Sequence, residues 1–144
     1  MRVETYVDIA SPPSIVTGLM LDFGGLARWL PGVEGVQADG VGPGSIRRYR
    51  FATSTFEERL EASSPDERTL RYTVLAGPLP VGPIDASYVV QEHAGGSRVR
   101  WAAELSASEG LEEAMSSALL AMQDAVLGLL KVTLEESLPG LTGH

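Results

Sequence analysis

Cysteine is absent from the 144 residues, and histidine occurs only at His93 and His144. The first absence excludes disulfides, thiolate nucleophiles and cysteine-ligated metals. The second leaves a zinc or non-haem iron site almost all carboxylate, a donor set those metals rarely accept. No metal and no cofactor is therefore expected. A Ser-His-Asp triad is equally short of histidine, and no Gly-x-Ser-x-Gly elbow occurs. Gly40-Val41-Gly42-Pro43-Gly44 is glycine-rich but leads into a strand and lacks a lysine, so it is no phosphate loop. Positive charge is scarce, and the net charge is −8. Such a surface repels nucleic-acid phosphates and anionic membranes. No run approaches the roughly 18–20 uninterrupted apolar residues of a membrane span. Met1–Thr5 enters an alternating pattern at once, without a signal-peptide core. The expectation is a cytoplasmic protein, monomer or homodimer, with neither a nucleic-acid nor a membrane partner.

What is present is a patterned globular chain, 44% apolar and 21% charged, of a length that suits one domain over 1–144. Residues 2–10 alternate as a half-buried strand. Ser11 is positioned as an N-cap before Pro12-Pro13, and a short helix should run to about Asp22. Gly24-Gly25 breaks it, and Leu26–Leu30 forms a second short turn ended by Pro31-Gly32. Strands then follow at 33–39, 46–52, 56–62, 68–75, 84–93 and 98–105. Turn signals separate them: Ser64-Pro65-Asp66-Glu67, the proline-rich stretch 77–83, and Ala94-Gly95-Gly96-Ser97. From Glu109 to about Leu138 the period changes, with apolar residues at 111, 115, 118, 119, 122, 126, 129, 130 and 134. That stripe predicts one helix about 42 Å long. The tail 139–144 should fray.

The fold class is therefore α+β. A curved antiparallel sheet of about seven strands wraps a long C-terminal helix, with two short helices after the first strand. One helix is too narrow to fill a broad concave face. The gap is closed by large side chains or left as a cavity. The inward set joins small residues (Ala86, Ala103, Ala114, Ala118, Ala121, Ala125) to bulky Phe51, Phe56, Tyr72, Tyr88 and Trp101.

Ile9-Ala10-Ser11-Pro12-Pro13, and then 22–33 with Trp29-Leu30-Pro31-Gly32, resemble the opening of the SRPBCC or START-like superfamily. This is the helix-grip fold of the birch-pollen allergen, the plant abscisic-acid receptors and the polyketide cyclase/dehydrase family. Glu57–Glu61 and Gly96–Trp101 resemble its sheet segments. The likeness spans nearly the whole chain. It implies the fold strongly and the function weakly, because this fold hosts carriers, receptors and enzymes. Residues 52–55 fall where the hormone receptors have a gate loop, but lack Gly-Leu-Pro. Residues 77–83 fall at their latch loop, without His-Arg-Leu. Their ligand-anchoring lysine falls on Leu30. These departures imply a less acidic, more apolar ligand.

Glu58 shares a strand face with Phe56 and Leu60 and should point inward. A carboxylate in an apolar cavity can act as a general acid or base. The alternative is that it pairs with an arginine. Tyr49, Tyr72 and Tyr88 also alternate inward, where phenols orient a carbonyl or serve as core side chains. Arg47, Arg48, Arg50, Arg98 and Arg100 form a basic cluster whose members should mostly face solvent. His93, beside a hairpin turn, should be exposed. The expected ligand-binding set is Trp29, Tyr49, Phe51, Phe56, Glu58, Leu60, Tyr72, Val74, Leu79, Ile84, Ala86, Tyr88, Trp101, Ala118 and Met122, with Glu58 as catalytic candidate. The leading expectation is a protein that binds a hydrophobic small molecule: a polyketide, lipid, steroid-like or aromatic metabolite. The alternatives are a cofactor-free cyclase or dehydratase using Glu58 and the tyrosines, and an interaction protein with a vestigial cavity.

Overall fold

A computed structural model describes residues 1–137. The tail 139–144 and Leu138, the expected helix end, lie outside the described residues. The chain runs β1 (Arg2–Ile9), α1 (Pro13–Met20), a 3₁₀ segment (Phe23–Arg28), then β2 (Glu34–Asp39), β3 (Ile46–Phe51), β4 (Ser54–Ser64), β5 (Thr69–Ala76), β6 (Ile84–His93) and β7 (Gly96–Glu104). Helix α2 (Glu112–Val132) follows and ends in a widened turn, Thr133–Ser137. All strand pairings are antiparallel, in the order β1-β7-β6-β5-β4-β3-β2. Among the described residues only β1 and β7 pair at long range; the other neighbours are successive hairpins.

Turn chemistry sets the registers. Ala52 and Thr53, both at positive φ, turn β3 directly into β4. The segment expected as a gate-like loop is therefore a two-residue hairpin, with Ser54 and Thr55 already in the strand. Ala94 and Gly95, again both at positive φ, turn β6 into β7, so β7 starts at Gly96 rather than Arg98. The Ser64–Glu67 turn forms as expected, with Glu67 N–H donating to Ser64 Oγ at 3.2 Å.

Two helix boundaries differ from expectation. Helix α2 starts at Glu112 rather than Glu109, because Gly110 sits at φ +87°, a conformation a helix interior excludes. Ser11 does not cap α1. Pro12 occupies the cap position, and the Ser11 hydroxyl is buried without a partner among the described residues. Its carbonyl instead accepts the Ser97 hydroxyl at 2.6 Å, which ties the start of β7 to the end of β1.

The sheet buries one face. Leu70, Tyr72, Ala86, Tyr88, Val99, Trp101, Ala103 and Leu105 are all buried. The outer face carries ion pairs such as Arg48–Glu57 at 2.8 Å and Arg98–Asp8 at 2.7 Å. By length and mean hydropathy (1.4), Glu112–Glu136 could cross a membrane. Here its stripe of Leu119, Gln123, Val126, Leu127, Leu130 and Leu134 is buried, so it acts as the core helix. Ala114, Ala121 and Ala125, expected inward, are exposed. They lie on the opposite side of the helix from that stripe, at 3.6 residues per turn. Leu111, also expected inward, is exposed, since it precedes the first turn.

Candidate functional site

A cavity of about 190 Å³ lies between the concave face, the 3₁₀ segment and α2. Leu26, Trp29 and Leu30 close it on one side, and Leu119, Met122 and Val126 of α2 on another. The sheet contributes Tyr49 and Phe51 from β3, Phe56 and Glu58 from β4, and Tyr72 and Val74 from β5. Ile84, Ala86 and Tyr88 of β6, and Trp101 and Ala103 of β7, complete the wall. The mouth lies at the β5–β6 loop, where Pro78 and Gly82 are exposed and Leu79 and Val81 half-buried. A dry void of that size costs about 5 kcal/mol at ~24 cal/mol per Å³. That is a large fraction of the roughly 5–15 kcal/mol that holds a domain together.

Two residues expected at this site are elsewhere. Leu60 is buried two positions beyond Glu58, further along β4, and does not reach the cavity. Ala118 is half-buried on the same face of α2, one turn before Met122, and lies too near the start of the helix to reach the cavity. His93 is exposed, near Arg98 and Asp8.

Arg47 is the exception in the arginine cluster, whose members Arg48, Arg50, Arg98 and Arg100 form ion pairs on the outer face. Its side chain is only 3% exposed and lines the cavity. The physical reason is strand parity: 47, 49 and 51 share the inward face, whereas Arg48 and Arg50 point out. The same alternation that places Tyr49 inward could have located it. Pairing of β3 with β4 then sets Arg47 directly opposite Glu58. Arg47 Nε donates to Glu58 Oε1 at 2.8 Å, and Nη2 lies 2.7 Å from the same oxygen in an ion pair. Arg47 Nη1 donates to the Phe23 carbonyl at 3.0 Å, and the guanidinium lies over the Phe23 ring, 4.1 Å from its centroid. The Tyr49 hydroxyl donates to Glu58 Oε2 at 2.9 Å, and its ring stacks on Phe56 at 5.0 Å. Both readings of Glu58 thus meet at one residue: it lines the cavity and it is paired.

Electrostatics follow from this enclosure. Burial works against the Arg47 charge, but the Glu58 carboxylate outweighs it and holds the guanidinium above its ordinary range. Burial, reinforced by Glu58, pushes the Tyr49 phenol well above 10. Burial raises Tyr72 likewise, with Tyr88 and Glu58 adding to it. Burial lifts Tyr88 to about 12. Tyr72 and Tyr88 share one long hydrogen bond of 3.4 Å. Tyr88 also contacts Trp29 edge-on at 6.5 Å and Trp101 at 5.2 Å, and so forms the aromatic centre of the site. Among the described residues the buried Trp101 Nε1 has no hydrogen-bond partner. No cluster of three metal-ligating side chains occurs among them.

A seven-stranded sheet gripping a C-terminal helix around an apolar cavity defines the helix-grip, START-like class. Within it, the chain belongs to the family described as polyketide cyclase / dehydrase and lipid transport, whose model matches residues 1–135. Solved structures agree in fold. XoxI from Bacillus cereus is 23% identical, with TM-score 0.83 over 94% of this chain and 96% of that one. A protein from Thermobifida fusca is 26% identical, with TM-score 0.77 over 90% of each chain. The di-domain ARO/CYC BexL, from the BE-7585A biosynthetic pathway, is 17% identical with TM-score 0.82, over 94% of this chain and 46% of that one. No match was found among the curated proteins.

Proposed function

We propose that the protein binds a hydrophobic small molecule, of the size of a bicyclic or tricyclic aromatic, polyketide or lipid fragment, in the cavity above α2. The observation that carries this reading is the cavity itself: an apolar, aromatic-lined space with a mouth at the β5–β6 loop. Burial at ~25 cal/mol per Å² supplies the affinity. The test is occupancy. Native mass spectrometry of freshly purified protein should reveal a co-purifying molecule, or an apolar dye should bind with a change in Trp29 and Trp101 fluorescence. Ala103→Phe, which fills the space from β7, should abolish dye binding while the protein stays folded. Dye binding that survives this substitution refutes the cavity as the site.

A second reading, a cofactor-free cyclase or dehydratase, is favoured by the phenols of Tyr49, Tyr72 and Tyr88 gathered at one end of the cavity. Proximity would supply most of the acceleration, with protons moved by a tyrosine or Glu58. Unchanged turnover of an accepted substrate by Glu58→Gln would remove Glu58 from that role.

A further inference from the structure

The polar end of the cavity is a closed charge circuit. Arg47 donates from Nε to Glu58 Oε1 and from Nη1 to the Phe23 carbonyl, and its Nη2 is ion-paired with the same Glu58 oxygen. Glu58 Oε2 accepts a hydrogen bond from the Tyr49 hydroxyl. Both charged side chains line the cavity, and each is nearly fully buried, at 3% and 4% exposed. An arginine inside an apolar pocket is what a ligand carboxylate would ordinarily meet, in a bidentate, charge-assisted pair. Here the chain supplies that carboxylate itself.

A second anion brought to this end would face Glu58 with no unpaired cation lining the cavity among the described residues, and it would leave its hydration behind. A neutral oxygen meets no such penalty. Two phenols, Tyr72 and Tyr88, share a single hydrogen bond. One of their two O–H protons therefore has no acceptor among the described residues, and it can be given to a carbonyl or ether oxygen.

We infer that Glu58 is a specificity residue: as the built-in partner of Arg47 it bars carboxylate ligands and reserves the cavity for neutral molecules. The inference rests on the binding reading above. It also makes a prediction that a merely apolar pocket does not. Removing the Glu58 charge should leave Arg47 open to a carboxylate from outside.

The test uses four probes on one bicyclic skeleton: tetralin, 1-tetralone, tetralin-1-carboxylate and its methyl ester. Binding is followed by tryptophan fluorescence or calorimetry at pH 7. The wild-type protein should bind tetralone and the ester at least tenfold more tightly than the carboxylate. Glu58→Gln should raise carboxylate affinity at least tenfold with little change for the ester, and Glu58→Asp, which keeps the charge, should retain the exclusion. Where Glu58→Gln is too unstable to purify, refolding is the readout: the acid should restore the fold and the ester should not. If the neutral probes do not bind the wild-type protein, the binding reading fails and the inference falls with it. If they bind but the acid binds equally well, or Glu58→Gln neither gains affinity for the acid nor is rescued by it, the inference alone is overturned. If the ester is excluded as strongly as the acid, shape rather than charge selects, and the inference is again overturned.

Discussion

Arg47 and Glu58 stand directly opposite each other on β3 and β4, and their side chains meet inside the protein at 2.7 Å. The pair is buried beside the aromatic rings of Phe23, Tyr49 and Tyr72. A buried pair of this kind contributes little against an apolar replacement, but breaking it leaves one charge uncompensated.

Arg47→Met should therefore destabilise the protein by about 3–5 kcal/mol. The double variant Arg47→Met, Glu58→Leu should recover most of that loss, because both charges go together. Urea denaturation of the two single variants and the double variant measures the coupling. Additive losses would mean that the two side chains do not stabilise each other.

The three cavity tyrosines predict an alkaline limit. Each phenol is raised in the folded state, first by burial, with Tyr88 at about 12 and Tyr49 and Tyr72 well above 10. A raised folded value means the folded state holds protons that the unfolded state has released. Stability is therefore intact below about pH 10 and falls as pH rises toward 12 and beyond. Phenolate absorbance of these residues should appear together with loss of near-ultraviolet dichroism. Ionisation of all three at pH 10–11 in a protein that keeps its dichroism would contradict the buried geometry.

Acid acts at the other end of the molecule. Glu135 accepts from Lys131 Nζ and from the Ala10 backbone N–H, both at 2.8 Å, so it links the end of the C-terminal helix to the β1–α1 junction. Lys131, followed by that backbone bond, holds the Glu135 carboxyl below its ordinary value of 4.5. A depressed folded value gives stability that is present above 4.5 and lost as pH falls through the folded value. Glu135→Gln should cost about 0.5–1 kcal/mol at pH 7, as for a partly exposed pair. Thermal melts of the two proteins should converge as pH falls below 4. A gap that persists at pH 3 would assign the effect to packing.

Gly96 opens β7 where the strand passes close to the end of β1. A Cβ there would collide with the Ile9 carbonyl oxygen, a backbone atom that cannot swing aside. Gly96→Ala should cost about 2 kcal/mol or more, because the β1–β7 pairing must shift. Gly95→Ala should cost less: its φ of +83° is strained for alanine, but it meets nothing within 4 Å. Equal losses at the two glycines would mean that the turn, rather than the close approach, is what matters.

Sequence periodicity alone determined much of this protein. Alternation over β3 to β7 and the 3.6-residue stripe of α2 fix which side chains face inward, and parity is a local property of the chain. Phe56, Glu58, Tyr72, Tyr88 and Trp101 could be set on the concave face for that reason, and Arg47 obeys the same rule. Tertiary structure decided what periodicity does not encode. The reach of the cavity along each element excluded Leu60 and Ala118, because depth depends on how strands, 3₁₀ segment and helix are stacked. The orientation of α2 turned Ala114, Ala121 and Ala125 to solvent and buried Gln123, because many rotations satisfy a broad apolar stripe. The pairing of Arg47 with Glu58 came from register: one residue of slip between β3 and β4 would change the parity and part the charges. A buried charge is tolerated only where its partner is delivered to it, and only the assembled sheet delivers Glu58 to Arg47.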